Sequence, residues 1–357
     1  MDKLAQAGRP DNFRYRFSAQ RFWGKSLKLA LRQLERTHPS EHVKPLYAKA
    51  MTIDADNTET YRHRLALLEE RSGHLEPAFQ LYRMDAITQV SDYALVRSGR
   101  RLAKKFKKAA EHPWPQQPVA TQILNVAWEQ DKPLWRPPGQ DAFQRVESAT
   151  IGWLRTKGRV ALHAEGGLWT TLCGLLYQSA FFAPIPEMLP CDHLTSPLDL
   201  GTPEFIQRRE TWIASIHEAI RDGRTSALLE NSWRERHGQR IAGLSWTRWS
   251  LSEIQEVASS VHPDALIEIM ALFLTRWRDV RSGLPDLFVL PGPPVDHEGL
   301  HLTNKAIWIE IKGPGDSLRD AQRWWIERFK TLNVPAEVWR IQPAKHQRPK
   351  GGTGATT

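Results

Sequence analysis

The stretch from Ser282 to Leu332 constrains the chain most. It reads SGLPDLFVL, a polar connector, AIWIEIKGPGD and then SLRDAQRWWIERFKTL. Its hydrophobic period changes from two to 3.6, which predicts two short strands followed by a helix. Side chains alternate across a strand, so Ile307, Ile309 and Ile311 share one face while Trp308, Glu310 and Lys312 share the other. A carboxylate and an ammonium therefore leave the same side of a strand whose opposite side is apolar. Asp286 follows Gly283 and Pro285, where the chain enters the first strand. Antiparallel pairing of the two runs would bring Asp286, Glu310 and Lys312 to one end of a small sheet.

That trio suits metal-dependent phosphodiester hydrolysis. Two hard carboxylates hold Mg²⁺ or Mn²⁺ through oxygen. The cation polarises the phosphate and lowers the pKa of water, and a neighbouring ammonium positions that water or offsets charge in the transition state. Glu-x-Lys by itself also decorates solvated strand faces. The isoleucine flanks argue for a buried strand here, and buried strands rarely carry acid and base without purpose. An aspartate, a long gap and then Glu-x-Lys is the PD-(D/E)xK nuclease signature.

Several further motifs occur in order: HAEGGLWTTLCGLLY, SPLDLGTPEFIQRR, Trp233 to Gly238 as W-x-x-x-x-G, and the Gln322-Arg323-Trp324-Trp325 run. With SGLPDLFVL and EIKGPGDSL, they resemble the VRR-NUC domain of the Fanconi-associated nucleases over roughly residues 145 to 341. The resemblance implies an α+β, mostly helical protein with a restriction-endonuclease-like α-β-β-β-α-β core interrupted by helices at about 185–280. It implies that Glu165, Asp286, Glu310 and the carbonyl of Ile311 bind Mg²⁺ or Mn²⁺. Asp286, Glu310, Lys312 and Gln322 would then be catalytic, with Gln322 orienting the lysine or the attacking water. It further implies a structure-selective enzyme that cuts branched or 5′-flapped double-stranded DNA near the junction and serves interstrand crosslink repair. A Holliday-junction resolvase built on the same core is the alternative, and a non-catalytic DNA-binding scaffold is a second. Recruiting protein partners are not legible. Without the resemblance, Glu165 reads as a carboxylate complementing the start of an apolar helix.

The rest of the chain divides by composition. Residues 1–110 read as a helical scaffold, in which ETYRHRLALLEERSG and EPAFQLYRMDAIT form one tetratricopeptide-like pair with Gly73 as its C-cap. One unit of this kind does not make a solenoid. Arg97, Arg101, Lys104, Lys105 and Lys108 fall on one face of a helix, either as a phosphate-binding stripe or as a solvated surface. Arg281, Arg319 and Arg323 are further candidates for DNA contact, and Arg208 and Arg209 can also reach a backbone. Residues 111–140, rich in proline, read as a linker, although PVATQILNVAWEQ within them is strand or helix. The nuclease region then runs from 141 to 345, and 346–357 is a basic, Gly-rich tail expected to be disordered.

Net charge is +9, which favours a polyanionic partner. Two cysteines, Cys173 and Cys191, exclude a disulfide framework and a cysteine zinc site. No apolar run reaches membrane-spanning length and the first residues lack a signal-peptide core, so the expectation is an intracellular protein without a membrane partner, nucleoid-associated or nuclear according to its source.

Overall fold

In a computed structural model, residues 13–83, 93–107, 118–131, 133–189, 191, 193–297 and 300–344 are described. They divide into two compact units, one of residues 1–118, 169–251 and 266–282, the other of 119–168, 252–265 and 283–357.

The chain begins with helices α1 (Phe13–Thr37), α2 (Ser40–Ile53), α3 (Thr58–Arg71), α4 (Leu75–Arg83) and α5 (Tyr93–Lys105), each packed on the next. Leu27, Leu31, Val43, Tyr47, Ala50, Tyr61 and Leu65 form the apolar seam of the first three. Ala78, Phe79, Tyr82, Leu95 and Leu102 form a second seam further along. Gly73, at φ +83°, closes the α3–α4 turn, and His74 N–H donates back to the Glu69 carbonyl at 2.9 Å. This is the left-handed C-terminal stop that glycine adopts without steric cost.

The second unit is organised by a five-stranded sheet. Its strands are β1 (Thr121–Val126), β4 (Ala161–His163), β5 (Leu287–Val289), β8 (Ile307–Lys312) and β9 (Ala336–Pro343), in the spatial order β1-β9-β8-β5-β4. Two small hairpins flank it: β2 (Glu129–Asp131) with β3 (Leu134–Arg136), and β6 (Val295–His297) with β7 (Leu300–Leu302). Helix α6 (Val146–Thr156) precedes β4 and helix α14 (Asp320–Thr331) joins β8 to β9. The order α6, β4, β5, β8, α14, β9 is the expected α-β-β-β-α-β core.

Strand β8 is the centre of this sheet, pairing antiparallel with β5 and parallel with β9. All six of its residues are buried. Its isoleucine face joins Leu287, Val289, Ala149, Leu154 and Trp339 in one core. The face bearing the acid is covered too: Trp308 meets Phe288 with ring centroids 4.6 Å apart and Phe329 of α14 at 5.9 Å.

One expectation is corrected. Residues 119–131 and 133–136 are not a linker: β1 adds to the sheet edge, with Thr121–Val126 running parallel to Val338–Pro343. The prolines of this region flank the strand and leave its ladder intact, and Leu124 and Val126 are buried. Helix α14 has Arg319 at its N-cap, whose amide donates to Gln322 Oε1 at 2.9 Å, while Asp316 Oδ2 accepts Gly313 N–H to close the preceding turn.

Between β4 and β5 the chain forms α7 (Leu168–Leu176), α8 (Gln178–Phe181), α9 (Pro203–Arg208), α10 (Glu210–Arg221), α11 (Thr225–Arg236), α12 (Leu251–Ser259) and α13 (Pro263–Arg276). Among the described residues no single helix is long and apolar enough to cross a membrane. Both cysteines are free, Cys173 buried and Cys191 exposed.

Candidate active site

Asp286 is the hub of the site, through its backbone and its side chain alike. Its carbonyl accepts Ala164 N–H at 2.8 Å and Glu165 N–H at 3.3 Å, tying the Glu-Gly-Gly turn to the start of β5. Its Oδ2 accepts Ile311 N–H at 2.7 Å, the amide between Glu310 and Lys312. The β5–β8 register pairs Leu287 with Ile309, so one further step sets Asp286 opposite Glu310 on the same face. Gly283 makes this approach feasible. It holds φ +83°, and a Cβ there would sit 2.6 Å from Ala321 backbone and side-chain carbon. Only glycine lets the loop before Asp286 lie against the start of α14.

Lys312 Nζ lies 2.8 Å from Glu310 Oε1, an ion pair whose angle leaves both carboxylate oxygens without a formal hydrogen bond. Asp286, Glu310 and Lys312 are all buried, Glu310 almost wholly at 1 % exposure. Burial drives the Asp286 pKa upwards, and the Glu310 charge adds to it; the Ile311 amide pulls the other way. Burial likewise raises Glu310, partly countered by Lys312. Glu165 and Glu147 both push these two pKa values up. Four acids thus act on one another beside the Lys312 ammonium.

That surplus of negative charge is what a divalent cation neutralises. Two buried carboxylates, one with an oxygen lacking a donor, are hard oxygen ligands of the kind Mg²⁺ and Mn²⁺ take. Among the described residues, no three of His, Cys, Asp and Glu converge as a ready-made cage. Glu165 is exposed, in the turn before α7 rather than within it. A cation that keeps several waters and takes a substrate oxygen needs no such cage. The residues present fit.

The remaining sequence candidates are spread more widely. Gln322 is buried, but its carbonyl oxygen is committed to the Arg319 amide, so only its NH₂ group can serve the site. Arg319 is exposed and Arg323 half-buried at the same end of α14, and Arg281 is exposed. On α5, Arg97, Lys104 and Lys105 are exposed. Arg101 is held at 2.5 Å by Glu70, and Lys108 lies outside the described residues. Arg209 is no DNA contact: it is fully buried and bound to Asp199 at 2.7 Å. Glu147, in the first turn of α6, was missed, because nothing in its local pattern distinguishes it from an acid complementing a helix N-terminus.

A mixed sheet between helices, carrying Asp286, Glu310 and Lys312 on its central strands, defines a core of the PD-(D/E)xK nuclease type. Residues 220–343 match the VRR-NUC domain, and the chain is similar in sequence to Fanconi-associated nucleases. It is 27 % identical to a Fanconi-associated nuclease 1 homolog of Oryza sativa subsp. japonica over 97 % of this chain and 37 % of that protein. It is 29 % identical to Fanconi-associated nuclease 1 of Homo sapiens over 55 % of this chain and 19 % of that protein. The chain thus spans well under half the length of these relatives. Its fold is shared with paFAN1, solved with a two-nucleotide 5′-flap DNA carrying a gap. There the TM-score is 0.69 at 22 % identity, covering 90 % of this chain and 55 % of that one.

Proposed function

We propose that this chain is a metal-dependent, structure-selective DNA nuclease that hydrolyses phosphodiester bonds near 5′ flaps or branched junctions, with a role in DNA repair such as that of interstrand crosslinks. One observation carries the reading: Asp286 Oδ2 accepts the Ile311 amide, which fixes two buried acids and Lys312 at one sheet end. The relationship to Fanconi-associated nucleases and the flap DNA held by paFAN1 support the choice of substrate.

Asp286, Glu310 and the Ile311 carbonyl would hold Mg²⁺ or Mn²⁺, with Glu165 completing the set from its turn. The ion, when bound, polarises the scissile phosphate and acidifies water. Asp286 and Glu310 fix where the phosphate comes to rest, and their burial keeps bulk water from screening that charge. Lys312 holds the attacking water through Nζ and offsets charge on the phosphoryl oxygens. The Gln322 NH₂ group orients Lys312 or that water. Arg281, Arg319 and Arg323 grip backbone phosphates, as do Arg97, Lys104, Lys105 and Lys108, whereas Arg101 contributes only by giving up Glu70.

End-labelled 5′-flap, 3′-flap and four-way DNA, each with Mg²⁺, Mn²⁺ or EDTA, tests this. The expected outcome is metal-dependent incision of the 5′ flap near its junction. Symmetric cuts confined to the four-way substrate would indicate a resolvase instead. Equal cleavage by the wild type and Glu310→Ala would sink the assignment of the site.

A further inference from the structure

Helix α11 and the loop behind it form a second candidate site, away from the acids in sequence and unused by the mechanism above. A cleft of about 750 Å³ is lined by Phe182, Leu189, His193, Arg236, Gln239 and Arg240, among others. Its size falls within the ~300–1,000 Å³ range of small-ligand sites. Among its described lining residues are two arginines and a histidine, and no carboxylate. The Arg236 guanidinium carbon stands 4.1 Å above the centre of the Phe182 ring, and Arg236 Nη1 donates to Gln239 Oε1 at 3.2 Å. The guanidinium is thus parked on an aromatic face, with Glu235 Oε1 3.8 Å from its Nε. Arg240, at the mouth, is exposed.

The loop that carries these groups is stiffened from behind. Trp233, His237 and Trp246 form a three-ring cluster with centroids 5.0–5.2 Å apart. Trp246 Nε1 donates to the Gln239 carbonyl at 2.6 Å, one residue before Arg240. Gly238, at φ +80°, makes the turn that brings these rings together. Tryptophan rings and a glycine turn are a costly way to present two arginines unless their placement matters.

We propose that this cleft holds a single-stranded nucleic-acid segment, with Arg236 and Arg240 on successive phosphates and a base against the Phe182–Arg236 stack. Cationic donors beside an apolar, aromatic floor match the alternation of phosphate and base along a single strand. An acidic peptide would satisfy the arginines but leave the apolar floor unused. The inference deepens the nuclease reading, because a flap substrate carries a single strand that such a cleft would engage.

Cys191 lines the cleft and is exposed, whereas Cys173 is fully buried, so alkylation of Cys191 reports occupancy. The full chain in EDTA is treated with a maleimide and followed by mass, alone or with a ten-nucleotide oligothymidylate, the same length of abasic strand, thymidine monophosphate, or polyglutamate. Oligothymidylate is expected to slow modification about tenfold, and the abasic strand distinctly less. Protection should fall about tenfold in affinity in Arg240→Glu and be lost in Arg236→Ala/Arg240→Glu. Thymidine monophosphate protecting as well as the oligomer would reduce the site to a mononucleotide pocket and overturn the strand reading. Equal protection by polyglutamate, or full protection in the double variant, would overturn it as well. Since EDTA prevents cleavage, absence of protection leaves the flap-incision test standing, and failure of incision leaves this one standing.

Discussion

Two buried carboxylate sites in this chain look alike by burial and differ in how their charge is met. Asp199 is fully buried, as is Arg209, whose Nη1 contacts it at 2.7 Å. Arg208 adds a second guanidinium at 3.4 Å. Arg209 also donates to the Ala180 carbonyl and lies over the Phe205 ring. Negative charge there is matched and the pair holds helices together. At Asp286 and Glu310 the cation that meets the charge is Lys312, and Glu165 and Glu147 add to the imbalance. Burial alone does not mark function. Burial of an uncompensated charge does, because folding gains nothing by it.

The sharpest way to break this contrast is to remove one charged partner from each site. Asp286→Ala or Glu310→Ala should lower flap cleavage on the order of 10³-fold, about 4 kcal/mol of barrier. Duplex binding should persist, and the fold should lose less stability than Arg209→Met costs, because the stranded Ile311 amide or Lys312 ammonium is offset by relief of repulsion with the remaining acids. Arg209→Met should do the reverse. It strands Asp199 inside the protein and should cost about 3–5 kcal/mol of stability, read by urea unfolding, with the site chemistry untouched. Unfolding of Glu310→Ala on the scale of Arg209→Met would make both sites structural.

A gentler probe is pH. Folding raises the Asp286 and Glu310 pKa values above their unfolded ones, so between those limits the folded state binds more protons. Stability without metal must therefore fall as pH climbs from the ordinary carboxylate range through the raised values. Melting in EDTA at about pH 6 and about pH 8.5 should show that loss in the wild type and a flatter profile in Glu310→Gln. Added Mn²⁺ should raise the wild-type melting temperature more at the higher pH, where no proton competes for the ligands. A pH-independent response to metal would argue that the acids are not its ligands.

How much of this was readable beforehand depends on whether local pattern and tertiary partner agree. The alternation in AIWIEIK states which residues share a face, and the β5–β8 pairing follows from it. Strand β1 was hidden because prolines on either side of TQILNV read as a linker, while its pairing with β9 is set some 215 residues away by Gln122 reaching Glu337. Arg159 gave no signal at all. It is buried, and its two terminal nitrogens donate to the carbonyls of Leu290, Pro293, Thr303 and Lys305, bracing the loop between β5 and β8. A cation satisfied by backbone oxygens leaves no mark in sequence, since any residue supplies a carbonyl. Arg209 misled for the same reason, its partner Asp199 lying in a loop of no evident period.

Smaller effects separate positioning from packing at Gln322. Its oxygen caps α14 and its NH₂ group is left for the site. Gln322→Glu keeps the acceptor and loses the donor, so stability should hold while cleavage falls about tenfold. Gln322→Ala should lose about 1 kcal/mol of stability as well. Equal activity in Gln322→Glu and the wild type would confine this residue to the cap.

The smallest expected effect concerns the basic helix, where again the test is whether a charge is already met. Arg101 is engaged by Glu70, whose carboxyl that guanidinium holds below its usual range, whereas Lys104 and Lys105 are exposed. If α5 touches DNA, replacing Lys104 or Lys105 with Gln should reduce the slope of log affinity against log salt by about one unit each. Arg101→Gln should reduce it by less, because a phosphate must first displace Glu70. Identical slopes in all three variants and the wild type would leave α5 a solvated face, and the grip on the duplex would then fall to the arginines near the acids.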